Sequence, residues 1–150
     1  MSGDAAMRTL GDNFPVPTFD DSAWVTPKPL SQAKVAIVTS AAIHTTADER
    51  FAPGDTGFRF VPRAARDLVL GHWSPNFDRT GFALDLNVVF PIDRLEELAT
   101  EGTIGSVAPR HVAFAGNQPD DVATIIHDTG PAAAAELKAD GVDIVILTPV

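Results

Sequence analysis

The sequence predicts an α/β protein: an open, mostly parallel sheet with flanking helices, in a partial doubly wound layer fold. Three observations predict it. Short apolar runs at residues 34–40 (KVAIVTS), 111–116 (HVAFAG) and 142–150 (VDIVILTPV) read as strands, the first a β-branched run that fits a buried strand. Segments with helical periodicity separate the last two runs from what precedes them, one opening at Pro91 and one at Pro119. The 150 residues suit a single domain, and 45% hydrophobic against 21% charged residues allow a packed core.

Taken in order, residues 1–33 read as a Pro-containing N-terminal arm. It carries Gly3, Gly11, Pro15, Pro17, Pro27 and Pro29, and is expected to be extended, with Phe14, Phe19 and Trp24 as anchors. Residues 34–150 form the α/β domain. After the first strand comes a long excursion, residues 41–85, with turn signals at Pro53-Gly54-Asp55, Ser74-Pro75-Asn76 and Thr80-Gly81. One short strand is expected at 58–61 and two helical turns at 64–70. Excursions of this length often carry function. Residues 87–90 read as another short strand. Pro91 suits a first helical position; Ile92, Leu95, Leu98 and Ala99 recur on one face, and Gly102 ends the helix. After the strand at 111–116, a helix opens at Pro119-Asp120-Asp121, with Val122, Ile125 and Ile126 as its apolar face. Gly130-Pro131 interrupts it, residues 132–139 resume it, and Gly141 stops it. Residues 142–150 are the strongest strand.

Charge and composition exclude several classes. Lys and Arg number 11 against 20 acids, a net charge of −9 that opposes nucleic acid and anionic membrane surfaces. No apolar run reaches the roughly 18 residues of a membrane span, and no signal peptide is visible, so the expected location is the cytoplasm. The chain has no cysteine, which removes disulfides, thiolate metal sites and thiol nucleophiles within these residues. The histidines, His44, His72, His111 and His127, lack metal-site spacing, and neither HExxH nor a glycine-rich phosphate loop occurs. No metal and no resident cofactor are expected.

The candidate substrate-binding residues are Ser40, His44, His72, Asp78, Arg79 and Thr148. Ser40 and His44 follow the first strand at its carboxyl end, where α/β sheets bind ligands; Thr148 stands at the corresponding end of the last strand. A histidine there can bind a carboxylate or transfer protons near neutral pH; it can equally be a solvent-facing loop residue. His72 lies in GHWSPNFDRTG with Asn76, Asp78 and Arg79. Arginine grips carboxylates bidentately, so this cluster can orient an amino acid; it can also be a turn held by side-chain-to-backbone bonds. Arg110-His111 begins a strand, away from the expected site, and reads as a structural or subunit-contact pair; His127 falls mid-helix and reads as a surface or packing residue.

Four segments resemble the glycine/sarcosine/betaine/D-proline reductase selenoprotein B family: KVAIVTSAAIH at 34–44, DRTGFALDLNVVFPIDRLEEL at 78–98, GTIGSVAPRHVAFAG at 102–116 and LKADGVDIVILTPV at 137–150. The resemblance implies a subunit of a complex that reductively cleaves a C–N bond of a small amino-acid-like substrate, with other reductase subunits as partners and a dithiol as electron donor. It also implies a selenocysteine or cysteine shortly after Val150, and, where one is used, a pyruvoyl group on a partner subunit. No catalytic residue is then expected within the chain. A UGA codon read as a stop and a naturally short homologue both account for an end at Val150. The 150 residues alone are expected to lack reductase activity and to depend on a partner for solubility. A redox-inactive binding or scaffold subunit is the alternative, and an α/β enzyme working through His44 or His72 a weaker third.

Overall fold

The computed structural model describes residues 3–13, 20, 25–74, 79–118 and 121–150. Phe14, Phe19, Trp24, Asn76, Asp78, Pro119 and Asp120 lie outside the described residues. The first element is a helix, α1 (Gly3–Asp12). This corrects the expectation of an extended arm: the run AAMRTL holds strong helix formers, and the glycines stand near its ends.

Strand β1 (Lys34–Thr39) is the axis of the main sheet. The excursion after it holds three strands: β2 (Ile43–Thr45), β3 (Phe58–Pro62) and β4 (Leu68–Leu70). The expected helix at 64–70 is absent. Leu68, Val69 and Leu70 instead pair antiparallel with Thr45, His44 and Ile43 in a small sheet of their own. Helix α2 (Thr80–Leu84) follows, then a 3₁₀ turn (Leu86–Val88) where a strand was expected. The Asp85 carboxylate accepts the Asn87 N–H at 2.9 Å and so starts that turn. Helix α3 (Ile92–Thr100) buries Ile92 and Leu95, and Gly102 turns the chain at φ 75°.

Strands β5 (Ser106–Val107) and β6 (Arg110–Phe114) both run parallel to β1. Helix α4 (Gly130–Ala139) leads into β7 (Ile144–Thr148), again parallel to β1. Because Val35 pairs with both Val107 and Ile144, and Val38 with both Val112 and Leu147, β5 and β6 share one edge of β1 and β7 takes the other. Strand β3 closes the far side of β6, antiparallel, with Phe58 opposite Phe114 and Pro62 opposite Arg110. The expected α/β fold with a mostly parallel sheet is what the chain adopts.

Alternation along β1 sends side chains to two cores. Val35 and Ile37 pack with Val107, Phe90, Ile92 and Leu95 under α3; Ala36 packs with Val112, Ala133 and Leu137 under α4. The expected break at Gly130-Pro131 does not occur. A π-helical turn (Ile125–Thr129) runs straight into α4. Proline removes an N–H and crowds the preceding turn, and a widened turn relieves both. Gly130 is required there, since a Cβ would lie 2.5 Å from the Ile125 carbonyl oxygen. The expected apolar face is only partly used: Ile126 is half exposed.

Arg110 and His111 are structural, as their position suggested. Arg110 bonds Asp140 at 2.6 Å and Glu136 at 2.7 Å and lies over the Phe60 ring. His111 is fully buried, and its Nδ1 accepts the Ile37 N–H at 3.0 Å. Burial pushes the His111 imidazole down to about 4.

Candidate functional site

The carboxyl ends of β1 and β7 meet in a lattice of short hydrogen bonds. Ser40 Oγ accepts the Val150 N–H at 2.9 Å, and the Ser40 N–H reaches the Thr148 carbonyl at 3.3 Å. Thr148 Oγ1 donates to the Val89 carbonyl at 3.0 Å, so this hydroxyl ties β7 to the segment before α3. Ser40 and Thr148 therefore shape the floor at the strand ends.

Beyond β1 the chain turns at Ala42, a non-glycine residue with φ 54°. Its N–H bonds the Phe114 carbonyl at 2.9 Å, and its own carbonyl accepts the Gly71 N–H at 3.1 Å. The same carbonyl lies 3.0 Å from His44 Nδ1. A carbonyl only accepts, so Nδ1 carries the proton and Nε2 is the basic atom of the neutral ring. His44 is buried edge-on against Phe51. Gly71 leaves room for this arrangement: a Cβ would lie 3.0 Å from the Ala42 oxygen and 3.3 Å from His44 Cε1.

His72 is held in the opposite tautomer. Its Nδ1 accepts the Ser74 N–H at 3.2 Å, so Nε2 carries the proton and donates to the Val150 carbonyl at 3.3 Å. The ring lies so close to the backbone of Gly116 that a Cβ there would be 2.3 Å from Nε2 and 2.6 Å from the Ser40 oxygen. Arg79 donates to the His72 carbonyl at 2.7 Å, joining the base of α2 to the site.

These elements enclose a pocket of about 310 Å³ lined by His44, Arg50, Phe51, Gly71, His72, Trp73 and Arg79, with Val69 and Leu70 from β4. Among the described residues its ionisable lining is two arginines and two histidines, with no carboxylate, in a chain where acids outnumber bases 20 to 11. Such a site attracts a small anion. The structure thus brings His44, His72 and Arg79 together, puts Ser40 and Thr148 at the adjoining strand ends, and leaves Asp78 outside the described residues. Sequence reasoning missed Arg50, Gly71 and Gly116. Only Gly116 left a signal, a glycine directly after an apolar strand run, which marks close backbone approach. Among the described residues no group of three His, Cys, Asp or Glu side chains could hold a metal ion.

Residues 71–150, from the glycine beside His44 to Val150 just past β7, match the model of the family described as glycine/sarcosine/betaine reductase selenoprotein B. The chain belongs to that family. The match includes His72, Arg79, Gly116 and Thr148, and leaves Ser40, His44 and Arg50 to its amino-terminal side. Similarity to three relatives extends across nearly the whole chain. The D-proline reductase subunit gamma of Acetoanaerobium sticklandii is 37% identical over 153 residues, covering 99% of this chain and 62% of that protein. The glycine reductase complex component B subunit gamma of Carboxydothermus hydrogenoformans is 34% identical, covering 94% of this chain and 34% of its own length. The sarcosine reductase complex component B subunit beta of Peptoclostridium acidaminophilum is 31% identical, covering 90% and 32%. The chain spans about three fifths of the first relative and a third of the other two. No solved structure matches it significantly. No helix among the described residues is long and apolar enough to cross a membrane.

Proposed function

We propose that this chain is the substrate-positioning part of a glycine/sarcosine/betaine/D-proline reductase-type complex, and that the pocket between β2, β4 and α2 holds the carboxylate of its amino-acid-like substrate. The observation that carries this is a lining of two arginines and two histidines, with no carboxylate among the described residues. The relatives' names supply the reaction class: each is a subunit of a D-proline, glycine or sarcosine reductase. In such a reaction a C–N bond breaks, the carbon gains a proton and two electrons, the nitrogen takes a second proton and is released from that carbon as the amine, and a dithiol that supplies both electrons and both protons is oxidised to a disulfide.

Each residue has a role that its hydrogen bonds permit. Arg50 and Arg79 hold the carboxylate, Trp73 and Phe51 flank the carbon skeleton, and His44 Nε2 exchanges a proton with the departing amine. Ser40 and His72 fix the strand ends through Val150. The selenol or thiol that delivers electrons must come from outside these 150 residues, which contain no cysteine. The proposed source is the polypeptide that follows Val150 in the family, and its fit is local: Val150 is held between Ser40 and His72, within reach of the pocket's histidine wall. The family's pyruvoyl group, where used, belongs to a partner. A cytoplasmic setting fits the reading.

The test is calorimetric titration of the chain with D-proline, glycine, sarcosine and betaine, each beside its amide. Carboxylates should bind, and amides about tenfold or more weaker, a difference of about 1.4 kcal/mol. Arg50→Gln and Arg79→Gln should abolish the distinction. Equal binding of acid and amide overturns the assignment. The second reading, a redox-inactive binding or scaffold subunit, is favoured by the absence of cysteine; it requires that turnover in a reconstituted complex survive Arg50→Gln.

A further inference from the structure

The two edges of the main sheet differ in kind. On β3 the edge carries Arg59 and Pro62, residues that discourage another strand from pairing. On β7 the edge reads Ile144-Val145-Ile146-Leu147-Thr148, with no charge, proline or bulge. That is the sequence of an interior parallel strand, and parallel strands are covered on both faces. One face of β7 is covered: Ile144 and Ile146 pack on the core under α3. The other is open. Leu147 is 71% exposed and Val145 38%, and with Val38, Phe114, Ala134 and Leu137 they line an apolar groove of about 410 Å³ beside α4.

Topology says what fills it. From β6 the chain crosses β1 to reach β7, carrying α4 on the groove face. Parallel crossovers are right-handed in nearly all cases. A further strand beyond β7 would continue in the same direction, and a crossover of the same hand would lay its helix on the same face as α4. That face holds the groove. The relatives supply candidate polypeptide, since more than a third of the D-proline reductase subunit gamma lies outside the stretch matched here. We propose that the groove seats one additional helix, supplied by that further polypeptide of the family, and that a parallel strand from the same segment pairs with the free edge of β7. The proposal rests on topology and family membership, and is independent of what the histidine–arginine pocket binds.

Because these 150 residues hold no cysteine, label on an introduced thiol can be followed in its own peptide, apart from any thiol or selenol that the fused segment brings. Leu147→Cys, Val145→Cys and, as a control, Leu84→Cys (85% exposed in the parent chain) are each made in the 150-residue chain. Each is also made in a fusion carrying, after Val150, the part of the A. sticklandii subunit outside the matched stretch. Maleimide labelling of Leu147→Cys and Val145→Cys should slow about tenfold or more in the fusion, while Leu84→Cys is unchanged. Amide hydrogen exchange over residues 144–148, read on the pair without introduced cysteines, should slow in parallel. Undiminished labelling at both groove positions overturns the proposal. So does a cysteine-free chain that forms a dimer by light scattering and protects residues 144–148 without the fusion, because a second copy would then be the occupant.

Discussion

The middle of β1 and its carboxyl end both bury histidine, and they use it in opposite ways. In the middle, His111 is closed in by Phe90 and the sheet, its Nδ1 accepting a backbone N–H. At the end, His44 and His72 are nearly as buried, yet both line a pocket with two arginines. The difference lies in the surroundings and not in the residue type. A histidine that replaces a missing strand carbonyl is part of the sheet; one that borders a cationic hollow is available to a ligand.

The largest test of this contrast is His111→Ala. It leaves the Ile37 N–H buried without a partner and opens a cavity, and should lower stability by about 3 kcal/mol in urea denaturation. His72→Ala, at a pocket wall that water can reach, should cost about 1 kcal/mol. Equal losses would erase the distinction. A pH series sharpens it. His111 has a folded value of about 4 against 6.5 in the unfolded chain, so between these values the unfolded state binds more protons. Its contribution is whole above pH 6.5 and is lost as pH falls toward 4, by about 3 kcal/mol at most. Denaturation midpoints across pH 4 to 7 should show this slope, and His111→Ala should flatten it.

Gly116→Ala addresses the other end. The new methyl would meet the His72 ring and the Ser40 carbonyl. Stability should drop by about 2 kcal/mol, or some 4–8 °C in Tm, and carboxylate binding should weaken about tenfold as His72 is displaced. A variant that loses stability but binds normally would separate His72 from the pocket. The smallest effect is Lys28→Ala. Lys28 contacts Asp143 at 2.7 Å, but its side chain is 60% exposed, so thermal melting should show a change within about 0.5 kcal/mol.

How much of this was legible in the sequence depended on the range of the interaction. Strands β1, β6 and β7 and helix α3 were readable because their apolar patterning is local. The small sheet of β2 and β4 was not, since three-residue strands have no measurable period and exist here through mutual pairing. Gly130-Pro131 was read as a break, because proline's cost in a regular helix is known from sequence but a widened turn is not. At the site, His44, His72 and Arg79 were chosen from residue type and strand position. Arg50 was missed because the loop that delivers it has no pattern, and only folding brings it to the same pocket as Arg79.

The irregular edge formed by β5 and β6 has one more consequence. From Val35↔Val107 to Val38↔Val112, three steps on β1 correspond to five on its partner. The surplus is two residues, an even number. Val107 and Ala113 therefore stay in the core under α3, and Ala108 and Val112 stay in the core under α4. A surplus of one would have exchanged every inward and outward side chain downstream. The strand is thus parity-protected: a two-residue insertion between β5 and β6 keeps every downstream side chain on its face, where a one-residue insertion would not.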